Sequence, residues 1–195
     1  MWKDKLEGYT LILASGSPRR KQFFTDMGLD FEVRLKSIDE IYPQTLLGNE
    51  IPDYLSKLKA SAFEGTLLEK EILITSDTVV WYEGKSLAKP GNAKEAITML
   101  SALSNDWHEV ITSVTFTTLS SQRTVSHTTR VKFKPLSQEE IIYYVANFKP
   151  FDKAGAYGIQ EWIGLIGIEE IKGSYTNVVG LPTQLVYKTL MEMVE

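Results

Sequence analysis

Ten residues, Ile72-Leu-Ile-Thr-Ser-Asp-Thr-Val-Val-Trp81, constrain this chain more than any other stretch. They are rich in β-branched residues, with apolar triplets at both ends, Ile72 to Ile74 and Val79 to Trp81, and no strict polar alternation. A strand of that kind is covered on both faces, which calls for helices on either side of a sheet. Asp77 sits in its middle. An ionised carboxylate buried alone costs several kcal/mol or more, so Asp77 needs a cationic partner, a metal or a proton. The competing reading ends the strand at Thr75 and makes Ser76-Asp77 a turn. Val79-Val80-Trp81 continue the pattern and favour one strand.

A second stretch, Leu11-Ile-Leu-Ala-Ser-Gly-Ser-Pro-Arg-Arg20, joins a short buried strand to a helix. Leu11 to Ala14 is the strand and Ser15-Gly16 the break. Ser17 is placed as N-cap and Pro18 as the first helical residue. Arg19 and Arg20 then stand in the first turn, where the macrodipole disfavours positive charge. Two arginines beside free backbone N–H groups suit an anion, phosphate first of all. The plainer alternative is a pair of solvated arginines. The Gly-Lys-Ser/Thr ending of a P-loop is absent, as is the Gly-x-Gly-x-x-Gly dinucleotide fingerprint.

The remaining pattern mixes both element types. A helix is expected from Pro18 to Met27 with Gly28 as its stop, then a strand over Phe31 to Arg34. The polar loop from Lys36 to Pro43 carries Asp39 and Glu40. Asp53 is read as the cap of a helix reaching about Glu69. Tyr82-Glu-Gly-Lys85 reads as a hairpin turn returning through Leu87 to Pro90. Asn92 and Glu95 form a capping box for a helix through Leu103. Alternating segments at His108 to Leu119 and Arg123 to Lys134 read as an antiparallel hairpin. Ser137 and Glu140 cap a helix expected to pack Ile141, Ile142, Tyr144, Val145 and Phe148 inward. A β run from Ile163 to Ile171, a turn over Gly173 to Asn177 and a final amphipathic helix complete the chain. The expectation is one α/β domain over residues 1–195, built on a mixed sheet.

Nine polar residues fall in or beside these apolar elements: Arg19, Arg20, Glu40, Lys59, Asp77, Lys89, Asp152, Lys153 and Gln160. Carboxylates together with cationic side chains suit hydrolysis of a phosphoanhydride. Acids hold Mg²⁺, cations neutralise phosphate oxygens, and a carboxylate or metal activates water. The net charge of −4 argues against binding a nucleic-acid polymer. The absence of Cys excludes disulfides and thiolate metal sites and fits a reducing cytoplasm. No apolar run is long enough to span a membrane. His108 and His127 lie in β segments without evident partners and read as structural.

In this order, the blocks Leu13-Ala-Ser-Gly-Ser-Pro-Arg-Arg20, Asp39-Glu40, Lys59-Ala60, Ser76-Asp-Thr-Val-Val80, Ala88-Lys-Pro90, Asp152-Lys-Ala-Gly-Ala-Tyr-Gly-Ile-Gln160, Gly173-Ser-Tyr and Val179-Gly-Leu-Pro182 resemble the Maf nucleotide pyrophosphatases along essentially the whole chain. The resemblance implies a mixed, elongated, twisted sheet flanked by helices, of the Maf/ITPase-like kind. It implies a Mg²⁺- or Mn²⁺-dependent enzyme that splits a nucleoside triphosphate into monophosphate and pyrophosphate, a homodimer, and a cytoplasmic house-cleaning role. By likeness, Asp77 is the catalytic acid/base and shares the metal with Glu40. Arg19, Arg20, Lys59 and Lys89, with Ser15 and Ser17, bind the triphosphate.

By the same likeness, Arg19, Thr78 and Gln160 are the positions tied to base choice. Asp-Thr-Val and Gly-Ile-Gln resemble the dTTP/UTP type. A Gln amide both donates and accepts, matching the O4 and N3–H edge of uracil or thymine, whereas the Glu of the 7-methyl-GTP type only accepts. Three departures stand out: Ser76 where Ala is more usual, Ser113 where Gly is common, and Glu161-Trp162 where small residues are common. Two alternatives stay open. One is a 7-methyl-GTP-type or inosine-type triphosphate substrate. The other is a non-catalytic, nucleotide-binding regulator of septum formation.

Overall fold

In a computed structural model that describes residues 2–194, the apolar run around Asp77 folds as a single uninterrupted strand. A 3-10 turn at Trp2–Leu6 leads into β1 (Thr10–Leu13), α1 (Pro18–Asp26), β2 (Phe31–Val33), α2 (Glu50–Ser61) and β3 (Glu71–Tyr82). Then come β4 (Lys85–Leu87), α3 (Ala93–Leu103), β5 (Trp107–Thr117), β6 (Gln122–Phe133) and α4 (Gln138–Phe148). A 3-10 turn at Ala154–Ala156, α5 (Trp162–Gly167), β7 (Ile168–Lys172), α6 (Tyr175–Val179) and α7 (Thr183–Met193) complete the chain. Among the described residues the seven strands pair in the order β2-β1-β3-β5-β6-β7, with β4 on β3. β1 runs parallel to β2 and β3, whereas β4 is antiparallel to β3 and β7 to β6. The sheet is therefore mixed, and the α/β expectation is met.

The chain forms two compact units. One comprises residues up to Asp77, Thr112–His127 and residues from Gly180; the other comprises Thr78–Ile111 and Thr128–Val179.

In the first unit, alternation along β1 and β3 divides the core. Leu11, Leu13, Ile72 and Ile74 pack with Phe24 of α1 and with Val186 and Leu190 of α7. Ile12 and Leu73 point the other way, onto Ala60 of α2 and Phe63 beyond it. Successive strand side chains face opposite ways, so helices on both sides are what an uninterrupted apolar run requires. Phe24 is wholly buried, worth about 1.5–3 kcal/mol in removed apolar surface.

The second unit packs α3 against α4 and against the turn at Ala154–Ala156. Gly155 of that turn has φ +66°, and a Cβ there would come within 3.0 Å of Val80. Both the backbone conformation and the close approach call for glycine. His108 packs in a three-ring cluster with Phe133 and Tyr157, which also touch each other, and its Nε2 is 2.6 Å from the Tyr157 hydroxyl. The sequence showed no partner for His108, and the fold supplies one in Tyr157.

Several expected boundaries move. α2 starts at Glu50 and ends at Ser61 instead of running from Asp53 to Glu69. Pro52 is accommodated in the first turn, where its missing N–H costs nothing, and Glu50 accepts the Leu47 N–H at 2.9 Å. At the other end, i→i+3 bonds from Phe63, Glu64 and Thr66 and a positive φ at Gly65 unwind the chain. Asp53, inside the helix, accepts the Ser113 hydroxyl at 2.5 Å.

The β run expected over Ile163 to Ile171 is in fact α5 followed by β7. Gly164 donates to the Glu161 carbonyl and starts a helical turn that apolar content alone does not reveal. Tyr175–Val179 is a short helix where a turn was expected. Ile142 and Phe148 are 48% and 38% exposed, because α4 turns only Ile141, Tyr144 and Val145 inward.

Candidate functional site

The first unit gathers the charged residues of the two leading stretches. At the end of β1 the Ala14 N–H extends the ladder to Ile74, and the chain then turns at Ser15 and Gly16. Ser15 is buried, and its Oγ accepts the Ser17 N–H at 3.2 Å. Ser17 caps α1 as expected, with Oγ accepting the Arg20 N–H at 3.4 Å and Pro18 at the first position. The two serines thus shape the helix mouth and bring the arginines to it. Arg19 is half-buried in that first turn.

Arg20 reaches further. Its Nε donates to the Gly180 carbonyl at 2.9 Å and its Nη1 to the Ser76 carbonyl at 3.0 Å. The planar fork of a guanidinium allows two such bonds in different directions. Burial lowers its pKa from the ordinary arginine value. Asp77 and Glu40 counter that effect and Arg19 adds to it.

Lys59, in the last turn of α2, is the hub. Its Nζ lies 2.5 Å from Asp77 Oδ1, 2.9 Å from Glu40 Oε1 and 3.4 Å from the Ser76 carbonyl. Three ammonium donors meet three acceptors. Asp77 is buried at 8% exposure in the strand interior, as the apolar run predicts, and it has the cationic partner that burial demands. Burial pushes its carboxyl above the usual carboxylate range; Lys59, and after it Arg20, pull it back, while Glu40 pushes it up. Glu40 comes from the loop between β2 and α2 and is exposed.

Because Glu40 and Asp77 reach the same ammonium, their carboxylates converge on one point. Two converging carboxylates form a donor set that fits Mg²⁺ or Mn²⁺, which complete their shells with water and substrate phosphates. Among the described residues no group of three or more His, Cys, Asp or Glu side chains could hold a metal.

Thr78, Lys89 and Gln160 fall in the second unit. Thr78 is half-buried on β3, Lys89 is exposed in the segment after β4, and Gln160 is exposed in a turn over residues 158–161. Asp152 and Lys153 form an ion pair at 2.7 Å, and Lys153 also lies 3.0 Å from Glu161.

The sequence reading did not foresee the part played by backbone carbonyls. Ser76 accepts from both Arg20 and Lys59, and Gly180 from Arg20. Position Gly180 lay within one of the motif blocks, but nothing in its residue type marks an acceptor for a distant guanidinium.

Residues 10–193 match the family model described as Maf-like protein. The chain is 56% identical over 194 residues to a dTTP/UTP pyrophosphatase of Flavobacterium johnsoniae, covering 100% of both chains. It is 59% identical over 191 residues to a dTTP/UTP pyrophosphatase of Flavobacterium psychrophilum, covering 98% of each. A dTTP/UTP pyrophosphatase of Christiangramia forsetii is 54% identical over 193 residues, covering 99% of this chain and 98% of the relative.

Proposed function

This chain belongs to the Maf-like protein family, and from that membership we propose that it hydrolyses dTTP and UTP to the nucleoside monophosphate and pyrophosphate. The observation that carries the reading is full-length likeness to proteins of that one activity. The charged cluster of the first unit supplies chemistry that suits it.

In this reading the oxygen of a water bonds to the α-phosphorus, the bond to the bridging oxygen breaks, and pyrophosphate leaves. Asp77 takes the proton. Its burial makes it a stronger base than an exposed carboxylate, and the Lys59 ammonium favours its ionised form. Arg19, Arg20 and Lys59 offset the charge on the phosphate oxygens, a role that the family pattern also gives Lys89. Ser15 and Ser17 shape the helix mouth that faces them. Glu40 and Asp77 would hold a Mg²⁺ or Mn²⁺ ion, which supplies charge neutralisation on the phosphates and a more acidic water. Base choice, uracil or thymine over guanine, rests with Arg19, Thr78 and Gln160 on the family pattern. A homodimer and a cytoplasmic location belong to the same proposal. No helix among the described residues is long and apolar enough to cross a membrane.

The test is product analysis of purified protein with Mg²⁺ or Mn²⁺ across UTP, dTTP, 7-methyl-GTP, inosine triphosphate and the common triphosphates. UMP or dTMP appearing with equimolar pyrophosphate supports the reading. UDP with orthophosphate overturns the bond assignment, and faster turnover of 7-methyl-GTP or inosine triphosphate overturns the base assignment. No turnover of any nucleotide with either metal overturns the enzyme reading in favour of a binding protein.

A further inference from the structure

Gln160 occupies the third position of a tight turn in the second unit, closed by the Glu161 N–H donating to the Gly158 carbonyl at 3.0 Å. Its neighbour Ile159 is buried while Gln160 itself is exposed. Both ends of this turn are tied to one phenol on α4. The Gly158 N–H donates to the Tyr144 hydroxyl oxygen at 3.1 Å, and the same hydroxyl donates to Glu161 Oε2. A phenol has one donor and acceptor capacity, and here both are used on a single four-residue turn.

The other oxygen of Glu161 is 3.0 Å from the Lys153 ammonium, which Asp152 holds at 2.7 Å. A Cβ on Gly158 would stand 2.9 Å from the Glu161 carboxyl carbon and 3.1 Å from the Lys153 side chain, so glycine lets both groups come up under the turn. The preceding α4 residue, Tyr143, packs its ring 4.8 Å from that of Trp162, just past the turn, the two planes tilted by 59°.

We propose that Tyr144, Glu161 and Lys153 are positioning residues for Gln160, so that base discrimination depends on a network that never touches the base. The inference rests on the reading of Gln160 as the base-selecting residue. It assigns a purpose to Glu161-Trp162, where small residues are common in the family.

The experiment compares kcat/KM for UTP and CTP, which differ only along the pyrimidine edge that a glutamine amide would read. Tyr144→Phe removes both hydrogen bonds and keeps the ring that stacks on Phe148. It is expected to lower the UTP-to-CTP ratio at least about fivefold, the weight of roughly one hydrogen bond, through a higher KM for UTP with little change in kcat. Glu161→Gln, which still accepts from Tyr144, should retain more of the ratio than Glu161→Ala. Gln160→Ala tests the underlying reading. If Gln160→Ala abolishes the preference while folded Tyr144→Phe and Glu161→Ala leave it intact, the positioning role is overturned and the Gln160 reading stands. If Gln160→Ala leaves the preference intact, that reading falls and the positioning role with it. Should Tyr144→Phe fail to fold, the Glu161 pair decides the question by the same ratio.

Discussion

Lys59 carries its ammonium 2.5 Å from the carboxylate of Asp77, joining the last turn of a helix to the interior of a strand. The pairing keeps a charge in a place where burial opposes it. Folding raises the Asp77 pKa, so its ionisation works against the folded state: the cost is absent below pH 3.8, grows as pH rises from there, and is complete only above the folded value. Asp77→Asn removes the cost without changing shape. Its melting temperature is expected to equal or exceed that of the parent, while turnover falls about 100-fold or more. Activity within tenfold of the parent, or a melting temperature lower by more than about 5 °C, would contradict the account.

Arg20 ties three chain segments together through the carbonyls of Gly180 and Ser76. A lysine cannot make two bonds in those directions. Arg20→Lys should therefore cost about 1–3 kcal/mol of stability, the range for buried acceptors left unpaired, as well as activity. Denaturant unfolding measures the first. An unchanged midpoint would mean that the clamp is not structural.

His108 is buried and its pKa is lowered to about 4 from 6.5. Between those values the unfolded chain binds a proton that the folded chain refuses. Stability is fully present above about pH 6.5 and declines as pH falls toward 4. A shift of this size corresponds to an upper bound on the order of 3 kcal/mol. Unfolding curves at pH 7, 6, 5 and 4.5 should show the decline, and His108→Gln should flatten it. Parallel profiles for the two proteins would remove His108 from the explanation.

Gly164 and Gly16 make a contrasting pair. A Cβ at Gly164 would lie 1.7 Å from the Ile159 carbonyl oxygen, a backbone atom, whereas one at Gly16 meets nothing within 4 Å. Gly164→Ala is expected to destabilise by at least about 1–3 kcal/mol, as overpacking against backbone does. Gly16→Ala should stay within about 0.5 kcal/mol, as surface changes do. Thermal unfolding of both variants checks this, and equal effects would contradict it.

Much of the fold was legible because its signals are local. Ser17 and Pro18 start α1, Asn92 caps α3 by accepting the Glu95 N–H, and Ser137 with Glu140 forms the capping box of α4. Each signal acts within one turn of chain. Apolar runs were less certain guides. Ile72 to Trp81 was correctly a strand, whereas Trp162-Ile-Gly-Leu-Ile-Gly167 was a helix, since a short apolar run has no period to separate the two. The candidate site was legible in its membership and not in its contacts. Arg20, Lys59, Glu40 and Asp77 were all singled out, but the Gly180 carbonyl that Arg20 holds lies 160 positions away in sequence.

Residue order alone settled that a carboxylate would stand inside an apolar strand and that arginines would stand at a helix mouth, because alternation and capping act over a few residues. It could not say which cation would answer that carboxylate. Lys59 and Asp77 are 18 positions apart and meet only because α2 packs back on the strand through Ala60 and Leu73. The packed core chose the partner, since contact between distant side chains follows from where their elements come to rest.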